Sequence, residues 1–390
     1  MGKRWGYWSL WGAIWGMSLG LRFWGLGRFD EFVFDEVYFA KFAHNYLQNI
    51  PFFDGHPPLG KYLIALGIYI AGGGFHAWGY RWMNALVGSA IPLLTGLLAY
   101  ELSRHRWLAL VAGYLVATDG LLLVESRYAL INVHLMALGL LGQWLVLRRQ
   151  VWAGVFLGAS AAVKWNGLAY WFGGLLAAMK LRWRWVPLVL GLFLLPLATY
   201  LLTWWPHLRQ NPERDLLALH RDMLSAHTRI GSGPDVHPYC SAWWSWPLML
   251  RPLSYYYQSH DGWVTHVQAM GNPVLWWLVL AAVLFSLPQL RRRDCPWTLQ
   301  FALGNYLLQW LPWALIRRCV FLYHYLPALV FGCVVLAWGL VTLWQRGYQR
   351  VTGALLALPA IALAFWLPVY LGLPLTPTAW RWRFWLPSWI

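Results

Sequence analysis

Charged residues are scarce in this chain of 390 residues. Only 11% are Asp, Glu, Lys or Arg, while 59% are hydrophobic; an ordinary soluble domain is about 25% charged. The apolar residues fall in long runs, which is typical of a membrane protein. The composition therefore excludes an ordinary soluble fold.

Cysteine is scarce as well. The four cysteines, Cys240, Cys295, Cys319 and Cys333, lack the spacing of metal ligands, and the last two lie in one apolar stretch. We predict neither a zinc site nor a disulfide framework. The sequence also offers no dedicated cluster for another metal.

Acidic residues number 14 against 30 Lys and Arg, which gives a net charge of +16. The basic residues come in small clusters between apolar runs and build no basic domain, so nucleic-acid binding is not indicated. Aromatic residues, by contrast, are abundant, with 32 Trp and 20 Tyr. Many stand at the ends of apolar runs, where amphipathic rings settle at headgroup depth.

Eleven apolar runs have the length or character of membrane spans. They lie at about 8–27, 79–103, 107–124, 128–147, 151–163, 168–180, 186–205, 272–290, 298–316, 319–344 and 351–372. The first run follows Lys3 and Arg4 without a cleavage site, so we expect a retained span with a cytoplasmic N-terminus. The sequence predicts an all-α integral membrane protein of about eleven transmembrane helices.

The segment 59–74 decides the orientation of everything after it. It is short and ends in three glycines, which favours an interfacial or re-entrant helix. With this segment not counted as a span, five basic loops fall on the N-terminal side of the membrane, as the positive-inside rule requires. These loops contain Arg104-His105-Arg106, Arg148-Arg149, Lys180 to Arg184, Arg291-Arg292-Arg293 and Arg346 to Arg350. We expect 1–390 to form a single transmembrane domain in the plasma membrane. This topology predicts two long outer loops, 28–78 and 206–271. The second contains no inserted soluble domain.

The first outer loop contains neighbouring acids, Asp35 and Glu36, at the start of an amphipathic helix. Neighbouring residues do not share a helix face, so the two should have different roles. One interpretation of Asp35 is a helix cap. The other is a base that accepts a proton from an attacking hydroxyl.

Lys61 lies in the first turn of a helix that Pro58 opens. A cation there opposes the helix dipole unless an anion compensates it. A bound phosphate would compensate the positive charge of Lys61, because the lysine and the free amide groups at the start of the helix would both bind it. The alternative is a lysine that snorkels to headgroup phosphates.

Other basic groups stand in or beside apolar runs on the predicted outer side, where such groups usually line a cavity or pair with an anion. Singly, each could be an anchor or an ion-pair partner; together they indicate an outward-facing anion pocket. They are Arg127, His134, Lys164, Arg317, Arg318 and His324.

Six motifs stand in order along the chain. They are Phe34-Asp35-Glu36-Val37-Tyr38-Phe39, Phe53-Asp54-Gly55-His56-Pro57-Pro58-Leu59-Gly60-Lys61, Glu125-Ser126-Arg127-Tyr128, Val163-Lys164-Trp165-Asn166-Gly167, Arg251-Pro252-Leu253-Ser254-Tyr255-Tyr256 and Tyr323-His324-Tyr325-Leu326-Pro327. Together they resemble the protein O-mannosyltransferase family, membrane glycosyltransferases of the C-type fold that use lipid-phosphate-linked mannose. The eukaryotic members carry a folded domain in the long outer loop. The loop 206–271 is too short for one, so the chain resembles the compact prokaryotic form.

The resemblance implies catalytic roles for three residues. Asp35 would activate a Ser or Thr hydroxyl, Glu36 would help to hold the acceptor, and Arg127 would help to organise the site. From the charge pattern, with looser family support, we expect the donor phosphate to be bound by His56, Lys61, Lys164, Arg317, Arg318 and His324.

We expect an inverting transfer of mannose from polyprenyl-phosphate-mannose to Ser or Thr hydroxyls of exported proteins, on the extracytoplasmic face. No metal or other cofactor is required, because a sugar phosphate is a good leaving group. A glycolipid or cell-wall glycan as acceptor is an alternative. A transporter or flippase would predict inverted repeats, which hydropathy does not show, and a non-catalytic chaperone subunit would tolerate replacement of Asp35 by Asn.

Overall fold

The protein is mostly helical in a computed structural model that describes residues 2–390, with side chains from residue 6 onward. The side chains of Lys3 and Arg4, on which the predicted orientation of the N-terminus depends, lie outside that part. The helices are α1 Gly2–Phe23, α2 Glu36–Leu47, α3 Leu59–Ile70, α4 Ala77–Ser103, α5 Arg106–Ala117, α6 Gly120–Arg127, α7 Asn132–Leu147, α8 Ala153–Val163, α9 Leu168–Lys180, α10 Trp185–Val189, α11 Leu195–Gln210, α12 Leu216–Arg229, α13 Pro273–Ser286, α14 Trp297–Trp310, α15 Leu326–Gln345, α16 Gln349–Leu371 and α17 Pro377–Arg381.

The chain divides into two compact units. The first comprises Met1–Leu21, Thr95–Val124 and Ser232–Ile390, and the second comprises Arg22–Leu94 and Glu125–Gly231. The second unit contains the first outer loop and most of the predicted site. Each unit is described separately below.

Each of the eleven apolar runs contains helix. Five described helices are long and apolar enough to cross a membrane, or six if α5 and α6, which meet at 64°, form one broken span. One of the five, Trp185–Gln210, runs through α10, a π-helical turn at Leu190–Leu194 and α11. The all-α membrane fold is confirmed, but a count of about eleven spans is not.

Helix α3 is shorter than a membrane span. Its 12 residues extend about 18 Å at 1.5 Å per residue, whereas a hydrocarbon core is about 30 Å thick. This length agrees with an interfacial or re-entrant helix, and the placement of α3 in the membrane stays a prediction.

In the second unit, small residues allow the helices to approach closely. A Cβ atom on Gly158 of α8 would lie 2.4 Å from the Pro196 carbonyl oxygen of α11, and one on Gly60 of α3 would lie 2.7 Å from Ile131. Close van der Waals packing of helices at small residues replaces the hydrophobic effect as the main force between helices in a membrane. They bring α3, α7, α8 and α11 together around the predicted site.

In the first unit, a buried carboxylate holds the bend between α5 and α6. Asp119 accepts hydrogen bonds from the backbone of Leu122 (2.7 Å) and Asn272 (3.2 Å) and from the indole of Trp276 (2.7 Å). These bonds compensate the buried charge and the backbone groups that the break leaves without helical partners.

The long loop 206–271 contains helix α12 and a β-hairpin, β1 Leu253–His260 and β2 Trp263–Ala269. The antiparallel hairpin turns through Asp261 and Gly262, both with positive φ, and a short strand β3, Pro374–Leu375, pairs with β2. Asp-Gly between apolar segments is a strong signal for such a turn.

Cys240 and Cys319, which are 79 positions apart in the chain, form a disulfide with their Cα atoms 5.2 Å apart. The expectation of no disulfide was therefore wrong. Sequence spacing could not reveal it, because folding brings together two loops that are distant in the chain. Cys295 and Cys333 are free and buried.

Candidate active site

Asp35 stands at the N-cap position of α2, but its carboxylate makes no capping hydrogen bond. The interpretation of Asp35 as a helix cap is therefore wrong. Within the part of the chain that the structure describes, the carboxylate accepts no hydrogen bond and the side chain is only partly exposed. A partly buried carboxylate without a hydrogen-bond donor is available for chemistry.

Glu36, the next residue, has the opposite environment. Its side chain is fully buried and pairs with Arg81 of α4, at 2.8 Å from Nε to Oε1 and 2.7 Å from Nη2 to Oε2. The backbone N–H groups of Val33 (2.9 Å) and Ala129 (2.8 Å) donate to the same carboxylate. Neither oxygen is exposed to an acceptor substrate in this arrangement.

Arg81 is the residue that sequence reasoning missed. Besides Glu36, its guanidinium donates to the carbonyl oxygens of Leu26 (3.1 Å), Phe29 (2.7 Å) and Glu31 (3.0 Å). It thus ties the first outer loop to α4. A signal was present, since a charge near the start of an apolar run usually has a dedicated partner.

Arg127, at the end of α6, holds the end of the first helix. Its Nη1 donates to the carbonyl oxygens of Arg22 (3.0 Å) and Trp24 (2.8 Å), and its Nη2 donates to that of Gly25 (3.1 Å). These carbonyls follow or close a helix C-terminus, where a cation is favourable. The geometry is that of a residue that organises the loop entering the site.

Lys61 pairs with Asp54, seven positions upstream, and also donates to the carbonyl oxygens of His56 (2.7 Å) and Pro57 (2.8 Å). The lysine is 1% exposed and the aspartate 13%. An anion does compensate Lys61 at the start of α3, as the helix dipole requires. This anion is the carboxylate of Asp54 and not the predicted phosphate. All three ammonium protons are engaged, so the ammonium has none left for a phosphate here.

Burial raises the pKa of Asp35 from 3.8 to about 6; the positive charge of Lys164 opposes this rise and the negative charge of Asp54 adds to it. Lys164 follows α8, is 6% exposed and donates to Asn132 Oδ1 (3.4 Å). A base whose pKa lies just below neutral is ionised at pH 7 and still binds protons well. The positive charge of Lys164 therefore acts on the carboxylate of Asp35, as expected for two members of the predicted pocket.

Aromatic rings lie beside this pair. His56 lies 6.2 Å, between ring centroids, from Phe39 and 5.4 Å from His227 of α12. Trp165, next to Lys164, stacks on His220 of α12 at 6.0 Å. Helix α12, which the sequence did not place near the site, therefore contributes to its surroundings.

His134, one of the basic groups of the predicted pocket, is 1% exposed and bonds through Nε2 to Asn84 Oδ1 (3.0 Å). The side-chain amide of Asn84 donates to the carbonyl of Leu130. His134 thus connects α7 to α4 and is remote from solvent.

Three predicted phosphate ligands belong to the first unit. Arg317 is exposed, Arg318 donates to the Cys319 carbonyl (3.2 Å), and His324 is 3% exposed between aromatic rings, including Trp313 at 4.2 Å. Their convergence with Asp35 and Lys164 stays a prediction. Among residues 2–390, no group of three or more His, Cys, Asp or Glu could hold a metal ion.

The arrangement of the helices is that of the C-type glycosyltransferase fold. The yeast (S. cerevisiae) protein O-mannosyltransferase Pmt1-Pmt2 complex bound to the sugar donor superposes with a TM-score of 0.86 at 16% identity, over 99% of this chain and 93% of that one. ArnT from Cupriavidus metallidurans in the apo state gives 0.61 at 16% identity, over 90% and 61%. At these identities the likeness establishes the fold.

The chain belongs to the protein O-mannosyltransferase family. The family model for dolichyl-phosphate-mannose-protein mannosyltransferase matches residues 13–77 and 73–210, and the model for the C-terminal four-span region of protein O-mannosyltransferase matches 212–389. The polyprenol-phosphate-mannose–protein mannosyltransferase of Mycobacterium tuberculosis is 28% identical over 98% of this chain and 92% of its own length. That of Corynebacterium glutamicum is 25% identical over 86% and 81%. The predicted family and the predicted mannosyltransferase class are confirmed.

Proposed function

We propose that this enzyme transfers mannose from polyprenyl-phosphate-mannose to the hydroxyl of Ser or Thr in a polypeptide, with Asp35 as the base. The observation that carries the proposal is the state of the Asp35 carboxylate. It is partly buried, accepts no hydrogen bond in the described part of the chain, has a raised pKa and is subject to the positive charge of Lys164. The names of the full-length relatives support this donor and a protein acceptor.

In the reaction, the acceptor oxygen attacks the anomeric carbon while its proton passes to Asp35. A carbon–oxygen bond forms to the acceptor, the bond from the same carbon to the phosphate oxygen breaks, and polyprenyl phosphate leaves with the electron pair. Attack from the face opposite the phosphate inverts the anomeric carbon. Asp35 then releases its proton to water.

The other residues divide into two roles. Lys164 is placed to stabilise charge on the leaving phosphate, and Arg317, Arg318, His324 and His56 remain proposed contributors. Glu36, Arg81 and Arg127 position the loop that carries Asp35, because their polar groups are engaged with backbone or with each other. For Lys61 we propose a structural role in place of the predicted phosphate contact.

The active site lies on the extracytoplasmic face in this proposal, in the plasma membrane. The positive-inside pattern of five basic loops supports that orientation. The Cys240–Cys319 disulfide adds independent support, since disulfides persist in oxidising compartments. It joins Cys240, in the outer loop 206–271, to Cys319, at the end of the run 319–344 that the predicted topology puts outside.

The test is product analysis with the purified enzyme. Labelled polyprenyl-phosphate-mannose and a Ser/Thr peptide should give peptide carrying one added hexose, whereas the same peptide with Ala at those positions should stay unmodified. Label appearing only in glycolipid or glycan acceptors would reject the protein acceptor.

A further inference from the structure

A crevice of about 610 Å³ lies between α2, α3 and the end of α11, all within the second unit. Its lining includes Tyr46 from the end of α2, Asn49 just after that helix, Tyr62 and Tyr69 from α3, and Arg209 from α11. It is separate from the side chains assigned above to the reaction. Its chemistry is mixed, with aromatic and aliphatic walls and one cation.

The crevice is held open by hydrogen bonds between its walls. Gln210 donates to the carbonyl oxygens of Asn45 (3.0 Å) and Ile50, and the Tyr46 hydroxyl bonds to His207 Nδ1 (2.8 Å). These bonds fix the end of α2 against the end of α11. The crevice is therefore part of the fold.

Arg209 brings a charge that the protein does not neutralise. In the described part of the chain its guanidinium forms no salt bridge or hydrogen bond, and the residue is exposed. The amide of Asn49 and the hydroxyl of Tyr69, which is 69% exposed, stand in the same lining. A cation with two further donors is suited to an anion such as a phosphate.

The apolar faces beside the crevice indicate what carries that anion. Leu202 (71% exposed), Trp205 (64%) and Arg209 follow one another at spacings of three and then four residues, so the three share one face of α11. The span that contains α11 is the least buried of the candidate spans, at 17% against 33–72% for the others. On α3, Leu66 (46% exposed) lies beside Tyr69 on the crevice side.

We propose that this crevice binds an anionic phospholipid, with the headgroup phosphate at Arg209 and a lipid chain along the exposed apolar face of α11. A polypeptide would satisfy the donors but would leave that face unexplained. A bilayer lipid satisfies both, because cation and apolar stripe meet where a membrane-spanning helix ends.

The test measures lipid binding with catalysis switched off, so that it does not depend on the proposed transfer reaction. Asp35→Asn protein in detergent is titrated with phosphatidylglycerol or phosphatidylcholine, and bound lipid is counted by native mass spectrometry. Arg209→Ala should weaken phosphatidylglycerol binding about fivefold, since one basic residue near the surface attracts an anionic lipid by about that factor. Arg221→Ala, which removes an exposed arginine of α12 outside the crevice, should leave binding unchanged.

A second variant, Leu66→Gln, tests the apolar wall and should weaken both lipids alike. The proposal is overturned if phosphatidylglycerol and phosphatidylcholine bind equally to the unsubstituted crevice, or if Arg209→Ala and Arg221→Ala behave alike. It is also overturned if equimolar polyprenyl phosphate displaces the phospholipid, because the crevice would then serve the sugar carrier.

Discussion

Glu36 and Arg81, 45 positions apart in the chain, form a fully buried ion pair through both carboxylate oxygens, at 2.8 and 2.7 Å. The pair fixes the backbone of the first outer loop against α4. Asp35, the adjacent residue, is thereby held in place without using its own carboxylate. Glu36 thus positions the loop, and the carboxylate of Asp35 is left available for proton transfer.

Arg81→Lys should lower both the unfolding temperature and the rate of transfer. Lysine keeps the charge but cannot make the two-point contact or reach the three carbonyls that Arg81 binds. Removing one partner of a buried pair costs about 3–5 kcal/mol, so a variant that keeps the charge should lose less than that. Thermal unfolding in detergent measures the loss. Arg104→Lys, at an exposed arginine just past the other end of α4, should change little; an equal effect of both variants would contradict the role of Arg81.

The transfer rate should fall on acidification, with a midpoint near pH 6. The base must be ionised to accept a proton, and burial raises the pKa of Asp35 to about 6. Lys164→Gln should move this midpoint to higher pH, because the positive charge of Lys164 opposes the rise. The measurement is kcat/KM against pH for both proteins. A midpoint that stays in place or moves downward would show that Lys164 does not act on the base.

Asp54→Asn should destabilise the protein, because it leaves the charge of Lys61, which is 1% exposed, without its counter-ion. Adding Lys61→Met should recover part of the loss, since the double variant buries no uncompensated charge. Unfolding temperatures of the two single variants and the double variant measure this coupling. Asp222→Asn, which breaks the exposed Arg214–Asp222 pair, should cost less than about 1 kcal/mol. Strict additivity of the Asp54 and Lys61 substitutions would refute the pairing.

Replacing Cys240 and Cys319 by Ser should lower the free energy of unfolding by about 2–5 kcal/mol, as for the loss of other native disulfides. Thiol labelling in denaturant should detect two thiols per chain without reductant and four with it, because Cys295 and Cys333 are free. Cys295→Ser is the control for substitution of a buried cysteine. Four thiols without reductant would show that the bond is absent and would remove its support for the outer location.

The sequence was sufficient for the fold class, because apolar runs and the order of the motifs depend on local pattern. It also located Asp35, since an acid pair at a helix start beside an apolar run is a local signal. It could not assign partners to buried charges. The same dipole argument that indicated a phosphate at Lys61 is satisfied by Asp54, and only coordinates distinguish the two.

Long-range contacts explain the remaining errors. Arg81 pairs with a residue in another segment, and Cys240 reaches Cys319 across 79 positions; neither spacing has a sequence signature. Helix α12 and the hairpin of β1 and β2 lie outside the apolar runs, so hydropathy alone does not predict them. The Asp261-Gly262 turn was a local signal that could have found the hairpin.

Asp35→Asn should not impair folding. The raised pKa means that the folded state binds this proton more tightly than the unfolded chain, so stability due to Asp35 is lost as pH rises from about 4 through about 6. At pH 7 the neutral variant should therefore unfold at the same temperature as the wild type or above it. A clearly lower unfolding temperature would contradict the burial of an unpaired carboxylate.

The most direct measurement is the transfer of labelled mannose from polyprenyl-phosphate-mannose to a Ser/Thr peptide by wild type, Asp35→Asn and Asp30→Asn, with donor binding measured in parallel. Asp30 is an exposed acid of the same loop and serves as the matched control. Asp35→Asn should bind the donor normally while its turnover falls by about 10²–10⁴-fold, the usual contribution of a general base; Asp30→Asn should resemble wild type. Unchanged turnover in Asp35→Asn would contradict the assignment of Asp35 as the base.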